Sequence, residues 1–501
     1  MQAKNICKTS TLLTLFLFVT AQIIAQTYSS KLVDTKTKKG IPYATIQYGE
    51  NKGVITNEEG LFSFNINETT KLLDSVYISS MGYEKIGFSL EQFNDSIIEV
   101  KPKAIELSGV YLFDKDLEVD EIIERMKENL DKNHGRVHLK KRFFLRQSEY
   151  NSMQKVDVEF VKSTIEEINK KFLDSAISTF PSRYSYFTET LGDYYLSGSE
   201  EEKEKLHIVK AAELYDKSQE ISFESFGERM EEILQKRLKK DSYLKIKSGW
   251  FGTKVQVDSI FEATEDSVNL EEKAPEKTYL LDNRKFTLGH LHKRAFEKKY
   301  ALDVIKKTGR YEFDLVGYTD IQNEGVYVLS FKTKGRSDFE GKLFINVNDF
   351  ALMQIDYNNI KSVKKFKLLG FSLNQHTYNG SMVFSKTPLG NYTLKFARHT
   401  NGTTVGVDRP LKIVEKNKFV KGRRKQNELK VNLDIVSNQS MTYEMVAFDF
   451  SASDSKALNA VKEDSTLKAT YLKSYDPEFW RGYNIMEPNQ AIREFTVDER
   501  N

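Results

Sequence analysis

Histidines are the side chains in this 501-residue chain with the widest chemical range, because imidazole binds metals and transfers protons near neutral pH. One common zinc hydrolase site needs a histidine and a glutamate three residues apart, plus a second, distant histidine. None of the seven histidines has a glutamate three residues later. They are His134, His138, His207, His290, His292, His376 and His399. The spacing predicts no zinc site of this kind.

The closest pair of histidines is His290-Leu291-His292. On a strand, residues two apart face the same way, and such a pair could bind one metal ion. The adjacent Lys293 and Arg294 carry positive charge that opposes a cation. We therefore favour a strand or turn with solvent-facing histidines, and we predict neither a metal nor any other cofactor.

Motifs for nucleophilic or nucleotide chemistry are also missing from the sequence. Ser-x-x-Lys recurs along the chain, for example from Ser242, Ser362 and Ser453, as expected by chance in a chain rich in both residues. There is no Gly-x-Ser-x-Gly elbow, phosphate-binding loop or dinucleotide-binding glycine motif. The single cysteine, Cys7, precedes the first apolar run, which is the wrong side for a lipoprotein attachment site. We predict that the protein is not an enzyme.

A run of basic residues is one of two candidate binding surfaces. It consists of Lys416, Lys418, Lys421, Arg423, Arg424 and Lys425, and Gly422 suggests a hairpin tip. Clustered lysines and arginines are attracted to anionic lipid head groups, so lipid or lipopolysaccharide is one predicted contact. A solvated loop is the alternative, and it is the one that we favour.

The second candidate surface is a group of aromatic residues near the C-terminus, namely Tyr475, Phe479, Trp480 and Tyr483. Tyrosine and tryptophan dominate interface hot spots, so this group is a candidate contact for a partner protein. The alternative, which we favour, is that the segment packs on its own domain. We assign the C-terminal tail to residues 475–501.

Residues 1–25 have the order of a secretory signal peptide. Lys4 and Lys8 precede an apolar run at residues 12–19, and small residues then lead to Ala25. A membrane anchor is the alternative, but the run is short for a hydrocarbon core about 30 Å thick. We expect this segment to be removed and the protein to reach the periplasm or the periplasmic face of the outer membrane.

Residues 26–113 contain several short strands separated by turns. Residues 61–66 alternate between the two faces of a strand, and the overall aromatic content of 12% suits sheets. Residues 39–46, 53–63 and 80–83 resemble the carboxypeptidase regulatory-like family. The resemblance implies an Ig-like or transthyretin-like β-sandwich, as found at the front of TonB-dependent outer-membrane receptors. It also implies an accessory domain that acts as an adaptor and not as a peptidase.

Residues 114–284 mix helical and extended patterns. Val119, Ile122, Ile123, Met126 and Leu130 lie on one face of a predicted helix. Phe226, Met230, Ile233 and Leu234 mark a second helix, which ends in a basic run. Residues 140–222 show no single dominant period.

Residues 285–474 alternate like strands of a large, curved antiparallel sheet. The order of the segments at residues 327–331, 341–346 and 351–355 resembles the sheet of LolA-like half-barrels, in which a helix plugs a curved sheet. The fold class predicted for the whole chain is mainly β with helical segments, with the small sandwich followed by a larger α+β domain. Residues 475–484 resemble the end of uncharacterised envelope proteins.

These patterns predict a non-enzymatic binding or scaffold protein of the cell envelope, with an envelope protein or outer-membrane component as its partner. A periplasmic carrier of a hydrophobic ligand or lipoprotein in a LolA-like half-barrel is the alternative. A metallocarboxypeptidase-related enzyme is the third and least favoured possibility. The formal net charge of +3 gives no reason to expect nucleic acid as a partner.

Overall fold

The computed structural model describes residues 26–49, 52–66, 72–89, 97–103, 117–179, 181–239, 241–249, 251–257, 278–322, 324–335, 337–419 and 425–497. The predicted signal peptide lies outside these residues. The chain forms two compact units: Met1–Lys103 with Asp476–Asn489, and Ala104–Tyr475 with Gln490–Asn501. Among the described helices, none has the length and apolar character needed to cross a membrane.

The N-terminal unit contains two small sheets. Its strands are β1 (Gln26–Asp34), β2 (Thr45–Gly49), β3 (Lys52–Ile55), β4 (Leu61–Ile66), β5 (Leu72–Ser79), β6 (Ile86–Phe88) and β7 (Ile97–Val100). One sheet has the order β4-β1-β7 and the other has the order β3-β2-β5-β6. Strand β1 pairs antiparallel with β4 and parallel with β7.

Aromatic side chains from the two small sheets meet in the core of this unit. Tyr48 of β2 stacks on Phe64 of β4, with ring centroids 4.7 Å apart. Gly60 precedes β4 with φ +81°, and a Cβ there would lie 2.3 Å from the carbonyl oxygen of Leu32. Only glycine fits that close approach of two backbones.

The segment Asp476–Asn489 adds to the same unit although it is distant in sequence. Trp480, Ile485 and Met486 are buried. The Asn484 side chain accepts a hydrogen bond from the backbone N–H of Asn65 at 2.8 Å and donates one to the Tyr48 hydroxyl at 2.8 Å. Residues more than 400 positions apart therefore share one core.

The larger unit is built on one curved, mainly antiparallel sheet. Its strands are β8 (Leu139–Ser163), β9 (Arg183–Leu196), β10 (Lys205–Tyr215), β11 (Ser242–Ser248), β12 (Phe251–Gln256), β13 (Tyr311–Ile321), β14 (Glu324–Thr333), β15 (Phe339–Asn346), β16 (Leu352–Asn359), β17 (Lys364–Leu368), β18 (Phe371–Lys386), β19 (Tyr392–Asn417), β20 (Lys425–Ala452) and β21 (Thr470–Leu472).

The main path of the sheet runs β13-β14-β15-β16-β18-β19-β20-β8-β9-β10-β21. Strand β11 pairs with β12 and β19, and β17 pairs with β18. The sheet thus joins strands from both sides of the boundary predicted at residues 284 and 285. Strands β8, β19 and β20 are 25, 26 and 28 residues long. They are much longer than the short strands expected from the sequence.

The helices are α1 (Val119–Glu128), α2 (Leu130–His134), α3 (Lys170–Thr179), α4 (Lys217–Arg237), α5 (Leu280–Lys293), α6 (Ser455–Ala460) and α7 (Gln490–Arg493). The predicted helix near residue 119 is confirmed as α1, with Ile122, Ile123 and Met126 buried. The second predicted helix is confirmed as α4.

Helix α5 replaces the strand or turn predicted around the histidine pair. Its buried residues include Leu281, Arg284, Leu288 and Leu291, spaced three and four apart as on one helix face. That face packs on the inner face of the sheet, where α5 hydrogen-bonds to β8 and β9. A helix plugging a curved sheet is therefore present in the larger unit.

Candidate functional site

A cavity of about 680 Å³ opens between the first turns of α5 and the inner face of the sheet. Four neighbouring strands, β20, β8, β9 and β10, form its floor in two cross-strand rows. The first row is Tyr443, Gln147, Thr188 and Glu213, and the second is Met441, Glu149 and Tyr186. Residues two apart on a strand face the same side, so the register places both rows on one surface.

Arg284 of α5 forms the roof of this cavity and is buried. Its Nε donates to the Thr190 hydroxyl at 2.9 Å, and its Nη1 donates to the Gln147 side-chain oxygen. Both acceptors are neutral, and within the described residues no carboxylate oxygen lies within 4.0 Å of the guanidinium. Burial lowers the pKa of Arg284, because desolvation disfavours its charged form.

Two carboxylates on the floor also have neutral partners. Glu149 accepts hydrogen bonds at 2.7 Å from the side-chain amides of Asn151 and Gln439. Glu213 accepts one at 2.9 Å from the Tyr186 hydroxyl. Burial, followed by the charge of Glu213, raises the pKa of Tyr186 well above its ordinary value, so this hydroxyl remains a donor. The cavity thus holds charges of both signs, and the charge of Glu213 acts on Arg284 although no ion pair within 4.0 Å joins these two side chains.

The rim of the cavity combines apolar and cationic groups. Leu280, Phe286, Ala469 and Tyr471 contribute apolar surface. Lys217 and Lys468 also line the rim, and Lys217 Nζ lies 4.0 Å from the centroid of the Tyr471 ring. An occupant would therefore meet charged groups inside and apolar surface near the opening.

The opposite end of α5 carries the histidine pair, and the prediction of solvent-facing strand histidines is wrong. His292 is partly buried, and its Nε2 lies 2.9 Å from Lys141 Nζ. His290 packs instead on Phe286, with ring centroids 3.8 Å apart. Residues two apart on a helix diverge by about 200°, so the two imidazoles cannot share a ligand. No group of three metal-ligating side chains occurs in the residues that the structure covers.

A second, smaller cavity of about 230 Å³ lies at this end of α5. His134 lines it, and its ring packs on Phe296 and Phe384 at centroid distances of 4.9 and 5.1 Å. Burial lowers the pKa of His134 to about 3, so the ring is neutral at physiological pH. The smaller cavity is thus lined by aromatic rings near α5, and His134 contributes no positive charge to it.

The predicted basic surface is only partly described by the structure. Lys421, Arg423 and Arg424 lie outside the described residues. Lys416 and Lys425 face each other across the β19–β20 hairpin. Lys425 hydrogen-bonds to Glu428, so this lysine already has an anionic partner within the protein. Lys418 lies just beyond β19.

The four aromatic residues of the predicted C-terminal group divide between the two units. Trp480 is only 3% exposed, and Phe479 packs against it in the N-terminal unit, with Tyr483 following in the same segment. Tyr475 packs in the larger unit beside Phe187 and Leu214. Contact of these residues with a partner protein stays a prediction.

The sequence pattern did not identify the cavity residues. Gln147, Glu149, Tyr186 and Thr188 fall within the stretch that showed no single period, and Arg284 falls at a predicted boundary. A usable signal was present in the alternation of Phe143, Leu145, Gln147 and Glu149, which places two polar side chains on an otherwise apolar face.

Comparisons with known proteins identify no family for this chain. No family model matches it, and no curated protein matches it. Solved structures that match include a LolA superfamily protein from Nitrosomonas europaea, at 9% identity over 68% of this chain and 95% of that one, with a TM-score of 0.15. A putative outer-membrane lipoprotein-sorting protein domain from Vibrio parahaemolyticus matches at 8% identity over 68% and 97%, with a TM-score of 0.19.

The MucA–MucB complex of Pseudomonas aeruginosa also contains a match, at 8% identity over 67% of this chain and 99% of that one, with a TM-score of 0.16. The resemblance of residues 26–113 to the carboxypeptidase regulatory-like family, and hence to the front of TonB-dependent receptors, is wrong. No family model supports it, and the matching structures are LolA-like and MucB proteins. Short turn motifs of this kind recur in unrelated strand-rich domains, because close backbone approach, as at Gly40 and Gly53, and positive φ, as at Gly82, both select glycine.

Proposed function

We propose that this protein is a non-catalytic carrier of the cell envelope that holds an amphipathic molecule in the 680 Å³ cavity between its curved sheet and α5. The signal-peptide pattern of residues 1–25 supports placement in the periplasm or at the periplasmic face of the outer membrane. The sequence favoured a binding or scaffold protein, with a carrier as the alternative, and we now favour the carrier. We also propose that the two small N-terminal sheets, which contact each other at Tyr48 and Phe64, pack as a β-sandwich.

The cavity is the observation that carries the proposal. Its volume falls in the range of about 300–1,000 Å³ that is typical of small-molecule sites. Apolar side chains at the rim suit a hydrocarbon tail, and polar side chains inside suit a head group. A purely hydrophobic ligand fits less well, because it would leave Arg284, Glu149 and Glu213 desolvated without a charged partner.

The charges inside the cavity define the head group further. Arg284 presents a guanidinium that has only neutral protein partners, which suits a phosphate or carboxylate. Glu149 and Glu213 present carboxylates that also have neutral partners, which suits an ammonium group. A zwitterionic head group satisfies both sets of charges in one ligand.

Amphiphiles with matched tails and different head groups test this function. Binding of lysophosphatidylethanolamine, dodecyl phosphate and dodecyl maltoside to the mature chain would be measured by calorimetry below their micellar concentrations. We expect the zwitterion to bind most tightly, and mass spectrometry to recover it chemically unchanged. Failure of all three amphiphiles to bind, or turnover of any of them, would contradict the proposed function.

The variant Arg284→Gln tests the role of the guanidinium. We expect it to weaken binding of both phosphate-bearing amphiphiles by about 1.5–3 kcal/mol, because a charge-assisted hydrogen bond is lost. Dodecyl maltoside binding should change little. Arg237→Gln is the matched control, since Arg237 is an exposed residue paired with Glu167 away from the cavity. An equal loss for all three head groups would show that Arg284 supports the fold and not the ligand.

A further inference from the structure

A β-hairpin at one margin of the large sheet presents apolar side chains to solvent. Strands β17 and β18 are joined by the two-residue turn Leu369-Gly370. The register pairs Leu368 with Phe371 and Phe366 with Leu373. Alternate pairs of a hairpin share a face, so these four side chains lie on one side.

The exposure of these side chains is high. Phe366 is 52% exposed, Leu368 65%, Leu369 59% and Phe371 42%. Phe251, at 54%, extends the same patch, because the Arg409 guanidinium lies 4.9 Å from the Phe371 ring and 5.2 Å from the Phe251 ring. We call these five residues, Phe251, Phe366, Leu368, Leu369 and Phe371, the apolar tip. Contiguous exposed apolar groups of this kind mark interaction sites more often than isolated ones do.

The backbone at the tip adds an independent observation. Leu369 has φ +50° and Gly370 has φ +80°, so both central residues of the turn are left-handed. Such turns normally place asparagine or aspartate at the first position, because a leucine there is sterically disfavoured. Leu369 gains no burial in return, since it is mostly exposed. Packing of its side chain therefore gives no reason for a leucine at this left-handed position, which points to a role for that side chain outside the fold.

Arg409 holds this turn in place. Its Nη1 donates to the Leu369 carbonyl oxygen, and its Nε donates to the Ser248 hydroxyl at 2.7 Å. Arg409 is itself buried, at 6% exposure. These hydrogen bonds fix the backbone of the turn, and the side chains of the apolar tip project from it.

Lysines outnumber acidic residues around the tip, where Asp408, whose backbone N–H donates to the Gly370 carbonyl oxygen at 2.7 Å, is an exposed acid beside the turn. Lys364, Lys365 and Lys367 are exposed on the same short strand, and no acidic residue occurs between residues 361 and 375. Lys247 and Lys254 flank Phe251 on the neighbouring hairpin and are exposed as well. Lysines alone would be explained as protection of an edge strand against pairing. That explanation does not cover the aromatic and aliphatic side chains on the other face.

We infer that the apolar tip docks on an anionic lipid membrane. The phenylalanine and leucine side chains enter the boundary between head groups and acyl chains, and the lysines remain among the anionic head groups. This contact would bring the protein to a lipid surface, and it stands on observations separate from the ligand cavity.

Vesicle binding of the mature chain tests the inference. Co-sedimentation would be compared between vesicles rich in phosphatidylglycerol and vesicles of phosphatidylcholine alone. We expect binding to the anionic vesicles that falls at least tenfold in the variant Leu368→Asp/Leu369→Asp. Leu389→Asp is the matched control, because Leu389 is also an exposed leucine, at 53%, in a different turn. Equal binding by all three proteins, or no binding by the unchanged protein, would overturn the inference.

Two further measurements separate insertion from other contacts. In Phe366→Trp the new indole should shift its emission to the blue and be quenched by brominated lipid, above the signal of the native tryptophans. Binding without quenching would mean adsorption through the lysines alone and would overturn insertion at the tip. Sedimentation velocity gives the last arm: self-association that Leu368→Asp/Leu369→Asp abolishes would assign the tip to a second copy of the chain.

Discussion

At the residue scale, several basic side chains of this chain are buried. Arg284 and Lys141 lie at opposite ends of α5, and both have neutral hydrogen-bond partners. Burial lowers the pKa of the Lys141 ammonium well below its ordinary value. Elsewhere in the sheet Arg146 is buried between two glutamates in one cross-strand row, Glu444 on β20 and Glu189 on β9. Arg284 is assigned to a ligand because it lacks the carboxylate partners of Arg146 and because, unlike Lys141, it lines the larger cavity.

Glu428 provides the residue-scale prediction of pH dependence. Hydrogen bonds from Lys412, Lys425 and Lys162 hold the pKa of Glu428 well below its ordinary value of 4.5. A depressed folded-state pKa stabilises the fold above 4.5, and this stabilisation is lost as the pH falls towards the folded-state value. We expect Glu428→Gln to be less stable than the unchanged chain at pH 7 and the difference to narrow below pH 4.5.

Denaturant unfolding across this pH range measures the effect. Glu159→Gln is the control, because Glu159 lies exposed on neighbouring β8 and accepts a hydrogen bond from the neutral Asn432 side chain. A constant difference between Glu428→Gln and the unchanged chain at every pH would show that the lysine cluster does not act through the Glu428 charge.

At the scale of elements, α5 is the piece that converts a curved sheet into a site. Its N-terminal turns roof the larger cavity, and its C-terminal turn lines the smaller one. The spacing of Leu281, Leu288 and Leu291 was readable from sequence as a helical face. The histidine pair suggested a strand instead, because a period of two and a helical period cannot be separated over three residues.

Gly289 in the interior of α5 gives the element-scale prediction. A Cβ at this position meets no atom within 4 Å, so alanine fits without strain. We expect Gly289→Ala to stabilise the larger unit by about 0.5–1 kcal/mol, because alanine loses less backbone entropy in a helix. Thermal unfolding measures the change.

Gly341→Ala is the contrasting variant, since its Cβ would lie 1.9 Å from the Asp356 carbonyl oxygen on the adjacent strand. It should destabilise the same unit. Stabilisation by both variants, or by neither, would show that local crowding does not govern these glycines.

At the scale of the whole molecule, the chain leaves the N-terminal unit, builds the large sheet, and returns. The segment Asp476–Asn489 completes a core that begins at residue 26. The sequence predicted that residues 475–501 form a separate C-terminal tail. Contacts between residues more than 400 positions apart leave no local pattern, so this return could not be predicted from periodicity.

Trp480 tests this completion of the N-terminal unit. We expect Trp480→Ala to destabilise that unit by about 3–5 kcal/mol, because a large buried side chain is removed. Hydrogen exchange should show lost protection in β4, whose Asn65 N–H bonds to the Asn484 side chain of the same segment. Phe419→Ala, at a residue that is 79% exposed, is the control and should change neither unit. Unchanged hydrogen exchange in β4 would show that the segment Asp476–Asn489 does not stabilise the core of the N-terminal unit.

Sequence alone determined the mainly β class, the helices α1 and α4, and the antiparallel strands after residue 285, because periodicity and turn residues are local properties. It also carries the export pattern of residues 1–25. Only the tertiary structure decided that β8, β9 and β10 join those later strands, that α5 roofs a cavity, and that Arg284 faces Glu149 and Glu213 across it. The physical reason is that cross-strand register and helix docking depend on which surfaces bury each other, and those partners lie far apart in the chain.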